Sequence, residues 1–243
     1  MRKRGQISVY FIIGFVLVII LVFLFYLRSI YQQEGAEQQI LKTSAVPAQF
    51  QDPVKNIETC VDNFLFNTII LFGNQGLCLN CKDTINYFGS KIQLYKEGKT
   101  TSINEWEQDF SSYIRTNLPN RCSLEAQGIQ INYDNPTINT KILANKITFT
   151  VNWPVTLSKS GITSSVEDFS NEYNIRLGGL KIITDQLLAV LFKEPLCLSC
   201  IADINTNNNI FLSILPYNES VMYTIVDNKE AVRDNYYTIN IAR

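Results

Sequence analysis

The chain has 243 residues, a formal charge of −1 and no histidine. Lacking histidine, it has neither the commonest general base, nor the usual Ser-His and Cys-His nucleophile pairs, nor imidazole for metal ligation. Four basic residues and no acidic one fall in residues 1–28, which leaves 17 basic against 22 acidic beyond them, a balance of −5; that argues against a nucleic-acid partner, which needs a basic face.

Residues 7–27 carry no formal charge. As a helix rising about 1.5 Å per residue they span roughly 31 Å, close to the hydrocarbon thickness of a bilayer. Tyr10 and Tyr26 stand near the two ends, where aromatic belts form. Arg2, Lys3 and Arg4 precede the run and only Arg28 follows it closely, so the positive-inside rule places the N-terminus in the cytoplasm and the remainder outside. The apolar core is longer than that of a secretory signal, and no small-x-small cleavage site follows it. The reading is a single-pass anchor, with a transmembrane helix over residues 7–28 in contact with membrane lipid.

The basic cluster, then Gly5, then Gln6-Ile7-Ser8 at the start of the apolar helix, resembles the class III signal peptide of archaeal type IV pilins. The resemblance implies a class III-like leader over residues 1–6, with a prepilin-type peptidase cutting between Gly5 and Gln6. Gln6 and Ser8 match the family's Gln-x-Ser-x-Glu pattern, whereas Tyr10 stands where the pattern has Glu. A phenol is neutral near pH 7. It hydrogen bonds but does not neutralise a neighbouring subunit's ammonium, a departure that bears on polymerisation and not on processing.

Residues 29–51 read as a polar stem and linker, "SIYQQEGAEQQILKTSAVPAQFQ". Asp52-Pro53 predicts a helix start, with Asp as N-cap and Pro at the first helical position. Val54, Ile57, Val61, Phe64, Leu65, Thr68, Ile69 and Phe72 recur at helical spacing, and Gly73 is expected to end the helix. Ser102-Ile103-Asn104-Glu105 is a capping box opening a second helix that carries Trp106, Phe110, Tyr113 and Ile114. Over residues 128–177 the texture alternates: "IQINY", "KITFTVNWPVTL" and "SNEYNIRL" read as an antiparallel meander, with "DNP", "AN" and "SKSG" as turns. Gly178-Gly179 leads into a third helix over residues 180–193, stopped by Pro195. "NIFLSIL", "VMYTIVDN" and "YYTINIA" predict three closing strands. Residues 52–243 are therefore expected to be an extracytoplasmic α+β domain, a helix-covered antiparallel sheet. Trp106 and Trp153 are read as core anchors, and Glu167-Asp168 as a solvated acidic face.

All six cysteines, Cys60, Cys78, Cys81, Cys122, Cys197 and Cys200, lie beyond the apolar segment. An even number in an extracytoplasmic domain points to disulfides. "GLCLNC" and "PLCLSC" each follow a helix ending in Leu-Phe and are read as a shared helix-exit turn. Three uses compete. A redox pair needs its first cysteine at a helix N-terminus, and neither "KDTINYFGS" after Cys81 nor "IADINTNNN" after Cys200 reads as an amphipathic helix. A four-thiolate zinc site would have to bridge a gap far beyond knuckle spacing. Structural disulfides remain, with Cys78–Cys81 and Cys197–Cys200 as local loops and Cys60–Cys122 as a long-range tie; cross-pairing between the two motifs is the rival. Asn218-Glu219-Ser220 is the only glycosylation sequon, which makes Asn218 the candidate acceptor.

The whole chain is similar to a set of uncharacterised archaeal single-pass membrane proteins. This rests on Gly-Gln before a membrane helix, a Cys-bearing helix, the late "LCLSC" and the ending "YTIVDN … YYTINIAR". The resemblance implies a membrane-anchored surface protein and supplies no activity. No catalytic, cofactor-binding or metal-binding residue is assigned, and no enzymatic role is expected. Two functions follow: a pilin-like structural or adhesive cell-surface subunit that forms a homo-oligomer or filament, or a monomeric single-pass anchor whose ectodomain binds a ligand or partner protein.

Overall fold

A computed structural model describes residues 46–122, 128–194, 197–217, 220–233 and 235–243. The chain divides into two units at Gln51–Asp52, and the interactions below lie within Asp52–Arg243. This region is α+β, with four helices and antiparallel sheets among the described residues. No helix among the described residues is long and apolar enough to cross a membrane; the segment expected to span one, residues 7–28, lies outside the described residues, as do Gly5 and Gln6.

Helix α1, Ala48–Asn74, buries the stripe read from the sequence: Val54, Ile57, Val61, Leu65, Thr68, Ile69 and Phe72 are all at most 8% exposed. It begins ahead of the expected Asp52 cap. Pro53 lies inside it and costs one hydrogen bond, to the Gln49 carbonyl, and Gln49 is exposed to solvent. The helix also runs one residue past Gly73, which packs against Thr238 and Tyr237. Next comes a hairpin absent from the sequence reading, β1 (Thr84–Tyr87) with β2 (Ser90–Gln93). Phe88 and Gly89 both have positive φ (47° and 86°), the pairing a two-residue hairpin turn of type I′ demands.

Helix α2, Ile103–Arg121, has the expected capping box and buries Trp106, Phe110, Ile114 and Leu118. Its aromatic side chains join α1 to the larger sheet: Phe72–Phe110 centroids are 4.6 Å apart and Phe110–Phe149 5.6 Å. That sheet is organised on β5, Ile147–Lys159, whose Ile147, Phe149, Val151, Trp153, Val155 and Leu157 alternate into the core. Strands β4 (Thr137–Ile142) and β3 (Gln130–Tyr133) pair with successive stretches of one edge of β5, and β6 (Ile162–Tyr173) pairs with the other edge. Pro154 falls where β4 pairing has ended, β3 pairing has yet to begin and the β5–β6 register shifts, so its missing N–H breaks no ladder.

Strand β6 ends at Tyr173, short of the expected Leu177, and helix α3 runs Leu177–Lys193, so Gly178-Gly179 lies inside it. The first-turn N–H groups of Gly178 and Gly179 donate to the carbonyls of Leu143 and Ala144 at 3.3 and 3.0 Å. A Cβ on Gly178 would sit 2.6 Å from the Leu143 carbonyl oxygen. The glycine pair thus lets the helix start press on the β4–β5 turn, and does not mark a helix boundary. Helix α4, Leu198–Asn208, replaces the irregular stretch expected after Cys200. Strands β7 (Ile210–Tyr217), β8 (Ser220–Val232) and β9 (Asn235–Ala242) form the closing antiparallel meander. Helix α1 touches both main sheets. The Tyr237 hydroxyl of β9 donates to the Ile69 carbonyl at 3.1 Å, and the Tyr173 hydroxyl of β6 lies 2.8 Å from Asp62 Oδ1.

Candidate functional site

The six cysteines form three bonds and none is free. Cys60 of α1 joins Cys122, the C-cap of α2, with Cα atoms 5.7 Å apart. Cys78–Cys81 and Cys197–Cys200 each close on themselves, with Cα separations of 5.5 and 5.3 Å. The two Cys-x-x-Cys motifs do not cross-pair, and with all six sulfurs bonded there is no set of thiolates for a four-cysteine zinc site. The motifs lead into different structure, and residues 195–196, on the expected exit turn before Cys197, lie outside the described residues. Gly76 and Leu77, both with positive φ, carry the chain from α1 into Cys78 and then the β1–β2 hairpin, whereas Cys197 is itself the N-cap of α4. Asn218 lies outside the described residues.

Around Cys78–Cys81 the fold builds a cleft of about 280 Å³, lined by Leu77, Asn80, Lys82, Tyr95, Trp106 and Asp109 among others. A more open depression of about 700 Å³ adjoins it and shares Gln93, Tyr95, Thr101 and Glu105. The capping box supplies one carboxylate: Ser102 N–H donates to Glu105 Oε2 at 2.6 Å, and Ser102 Oγ accepts Glu105 N–H at 3.2 Å. The backbone donor at Ser102 holds Glu105 below the usual carboxylate range. One turn on, Asp109 accepts Leu79 N–H and Asn80 Nδ2, each at 2.7 Å. It therefore fastens the two residues between Cys78 and Cys81 to α2. Both carboxylates act as clamps, Glu105 on the start of its own helix and Asp109 on the cysteine loop.

The far wall is set by Asp185 on α3, which accepts Thr100 N–H at 2.7 Å, Thr100 Oγ1 at 2.6 Å and Lys181 Nζ at 2.5 Å. Burial pushes the Asp185 carboxyl up, but the hydrogen bonds from Lys181 and Thr100 outweigh it and hold the group below its ordinary value. Burial, with Asp185 nearby, pushes the Tyr95 phenol up, and its hydroxyl donates to the Gly76 carbonyl at 2.8 Å. Trp106 is buried as expected, with Lys181 Nζ 5.7 Å from its ring centroid; the indole Nε1 finds no hydrogen-bond partner among the described residues. Trp153 is buried too and donates from Nε1 to the Asp134 carbonyl at 2.9 Å. Glu167 and Asp168 are exposed, as read.

The cleft was not legible beforehand. The capping box signalled Glu105, but nothing local in the sequence tells that Asp109 reaches back thirty residues to the cysteine loop. Equally non-local is the Arg176–Asp227 pair. Arg176 Nε donates to Asp227 Oδ2 at 2.7 Å, Asp227 is 2% exposed, and Arg176 Nη2 also donates to the Asn208 carbonyl at 2.8 Å. This places a cation at the C-terminus of α4, the end a helix dipole makes negative. Among the described residues no group of His, Cys, Asp or Glu is arranged to hold a metal ion. Comparison with protein-family models, curated proteins and solved structures yields no match.

Proposed function

We propose that the chain is a pilin-like structural or adhesive subunit of the cell surface. It is anchored through its N-terminal apolar helix, trimmed between Gly5 and Gln6 by a prepilin-type peptidase, and it presents a disulfide-braced α+β head. The observation that supports this best is that all six cysteines are closed in disulfides. Such bonds persist in oxidising, extracytoplasmic compartments, which agrees with the topology read from Arg2, Lys3 and Arg4. Membrane lipid and further copies of the chain are the partners this reading calls for.

A second reading is favoured by Tyr10, which stands at the position where pilins carry a carboxylate, and by the cleft beside Cys78–Cys81, which sets apolar Leu77 and Trp106 beside Lys82 and Asp109. In it the chain is a monomeric single-pass anchor whose ectodomain binds a ligand or partner protein. Mass and N-terminal sequence of the protein from native membranes test the first reading. The expected chain starts at Gln6, and Gly5→Trp blocks trimming; a retained Met1 removes the pilin route. Filaments in electron micrographs of the same preparation then separate subunit from monomer. Recovery from the cytosol with six free thiols overturns both readings.

A further inference from the structure

The two short disulfides sit in opposite electrostatic surroundings. Each spans a sequence separation of 3, against 62 for Cys60–Cys122, so each restrains the unfolded chain far less than the long bond does. Each offers at least one half-buried sulfur to an incoming thiol, Cys78 and Cys81 in the first and Cys200 in the second, so access alone does not separate them. What faces the sulfurs does. Cys78 Sγ lies 3.3 Å and Cys81 Sγ 3.7 Å from the Gln75 carbonyl oxygen. A bonded sulfur has no hydrogen to donate, so these are sulfur–oxygen contacts, and a thiolate released there would face a carbonyl lone pair.

At Cys197–Cys200 the arrangement is reversed. Cys197 is the N-cap of the eleven-residue helix α4, and its Sγ accepts the Cys200 N–H at 3.3 Å. Ser199 Oγ lies 3.6 Å from the same sulfur, and of these two atoms only the hydroxyl can donate. Cys197 is buried and Cys200 half-buried. The accessible sulfur is therefore the one to be attacked, and the buried one is the leaving group, sitting where the Cys200 N–H, the Ser199 hydroxyl and the helix dipole stabilise negative charge. Arg176 holds the opposite end of this helix through the Asn208 carbonyl.

We propose that Cys197–Cys200 is a redox-active disulfide that exchanges with an external dithiol, while Cys60–Cys122 and Cys78–Cys81 are structural. An incoming thiolate attacks Cys200 Sγ. The Cys197–Cys200 bond breaks and its electron pair goes to Cys197 Sγ, which leaves as a thiolate accepting the Cys200 N–H. The second thiol of the donor then attacks its own sulfur in the mixed disulfide and expels Cys200. The donor loses two electrons and two protons, and the cysteine pair gains both. This inference stands apart from the surface-subunit reading, since it needs only the ectodomain.

The test uses the full chain in detergent, equilibrated in graded ratios of reduced to oxidised dithiothreitol, quenched by alkylation and mapped by peptide mass. Cys197–Cys200 is expected to reach half-reduction at a ratio at least tenfold lower than Cys78–Cys81, with near-UV circular dichroism unchanged. Opening of Cys78–Cys81 at an equal or lower ratio overturns the proposal. Brief exposure to reduced glutathione followed by acid quench is expected to leave its adduct on Cys200; an adduct on Cys197 overturns the assigned direction of attack.

Discussion

Removal of Cys60–Cys122 is expected to be the most damaging loss of any single disulfide. The bond runs from α1 to the C-cap of α2 across a sequence separation of 62. Freeing a loop of about 60 residues in the unfolded chain costs about 4 kcal/mol of stability, whereas freeing the four-residue loop at Cys78–Cys81 costs about 2 kcal/mol. For a folded unit of about 190 residues, each kcal/mol moves the midpoint by about 3 °C. Cys60→Ala/Cys122→Ala should therefore lower Tm by roughly 12 °C, and Cys78→Ala/Cys81→Ala by roughly 6 °C. Differential scanning calorimetry of the two double variants beside the parent, in one detergent, measures both. Equal drops, or a long-loop variant within about 2 °C of the parent, would mean that chain entropy is not how the bond acts.

Gly178→Ala should cost about 2 kcal/mol by urea unfolding, because the added Cβ meets the Leu143 backbone carbonyl and not a movable side chain; a loss under about 0.5 kcal/mol refutes the close approach. Asp185 makes stability pH-dependent, and its carboxyl is held down in the fold. A depressed folded value means that its contribution is complete above the unfolded value of about 4 and is lost as pH falls through the folded one. Asp185→Asn should thus be less stable than the parent at pH 7, with the gap narrowing below about pH 4 in urea titrations; a constant gap from pH 7 to pH 2 refutes the assignment.

Where one stretch of chain decides its own structure, the sequence was readable. Ser102 and Glu105 cap α2 through their own side chains and backbone, and the stripe from Val54 to Phe72 has a single helical period. The β5 alternation is equally local. What could not be read depends on partners far along the chain. The β1–β2 strands are four residues each, too short to show a period. The Gly178-Gly179 pair looks like punctuation until the Leu143 carbonyl is in place. "IADINTNNN" has weak helix propensity, yet it forms most of α4, because Cys197 caps one end, Arg176 reaches the carbonyl at the other and Ile201 is buried between.

That last difference bears on the cysteines. Leu77-Cys78-Leu79-Asn80-Cys81 and Leu196-Cys197-Leu198-Ser199-Cys200 are almost the same string, and spacing alone assigns them one chemistry. Their flanks separate them. After Cys81 comes a hairpin, and the motif's sulfurs fold back on the carbonyl of the turn that precedes it. From Cys197 a helix begins, and its sulfur takes the place of a capping oxygen. A thiolate is favoured at the second and disfavoured at the first by the same rule, that helix starts present N–H groups and the turns after helices present carbonyls. Reduction should therefore follow backbone direction at each motif, and not the Cys-x-x-Cys pattern the two share.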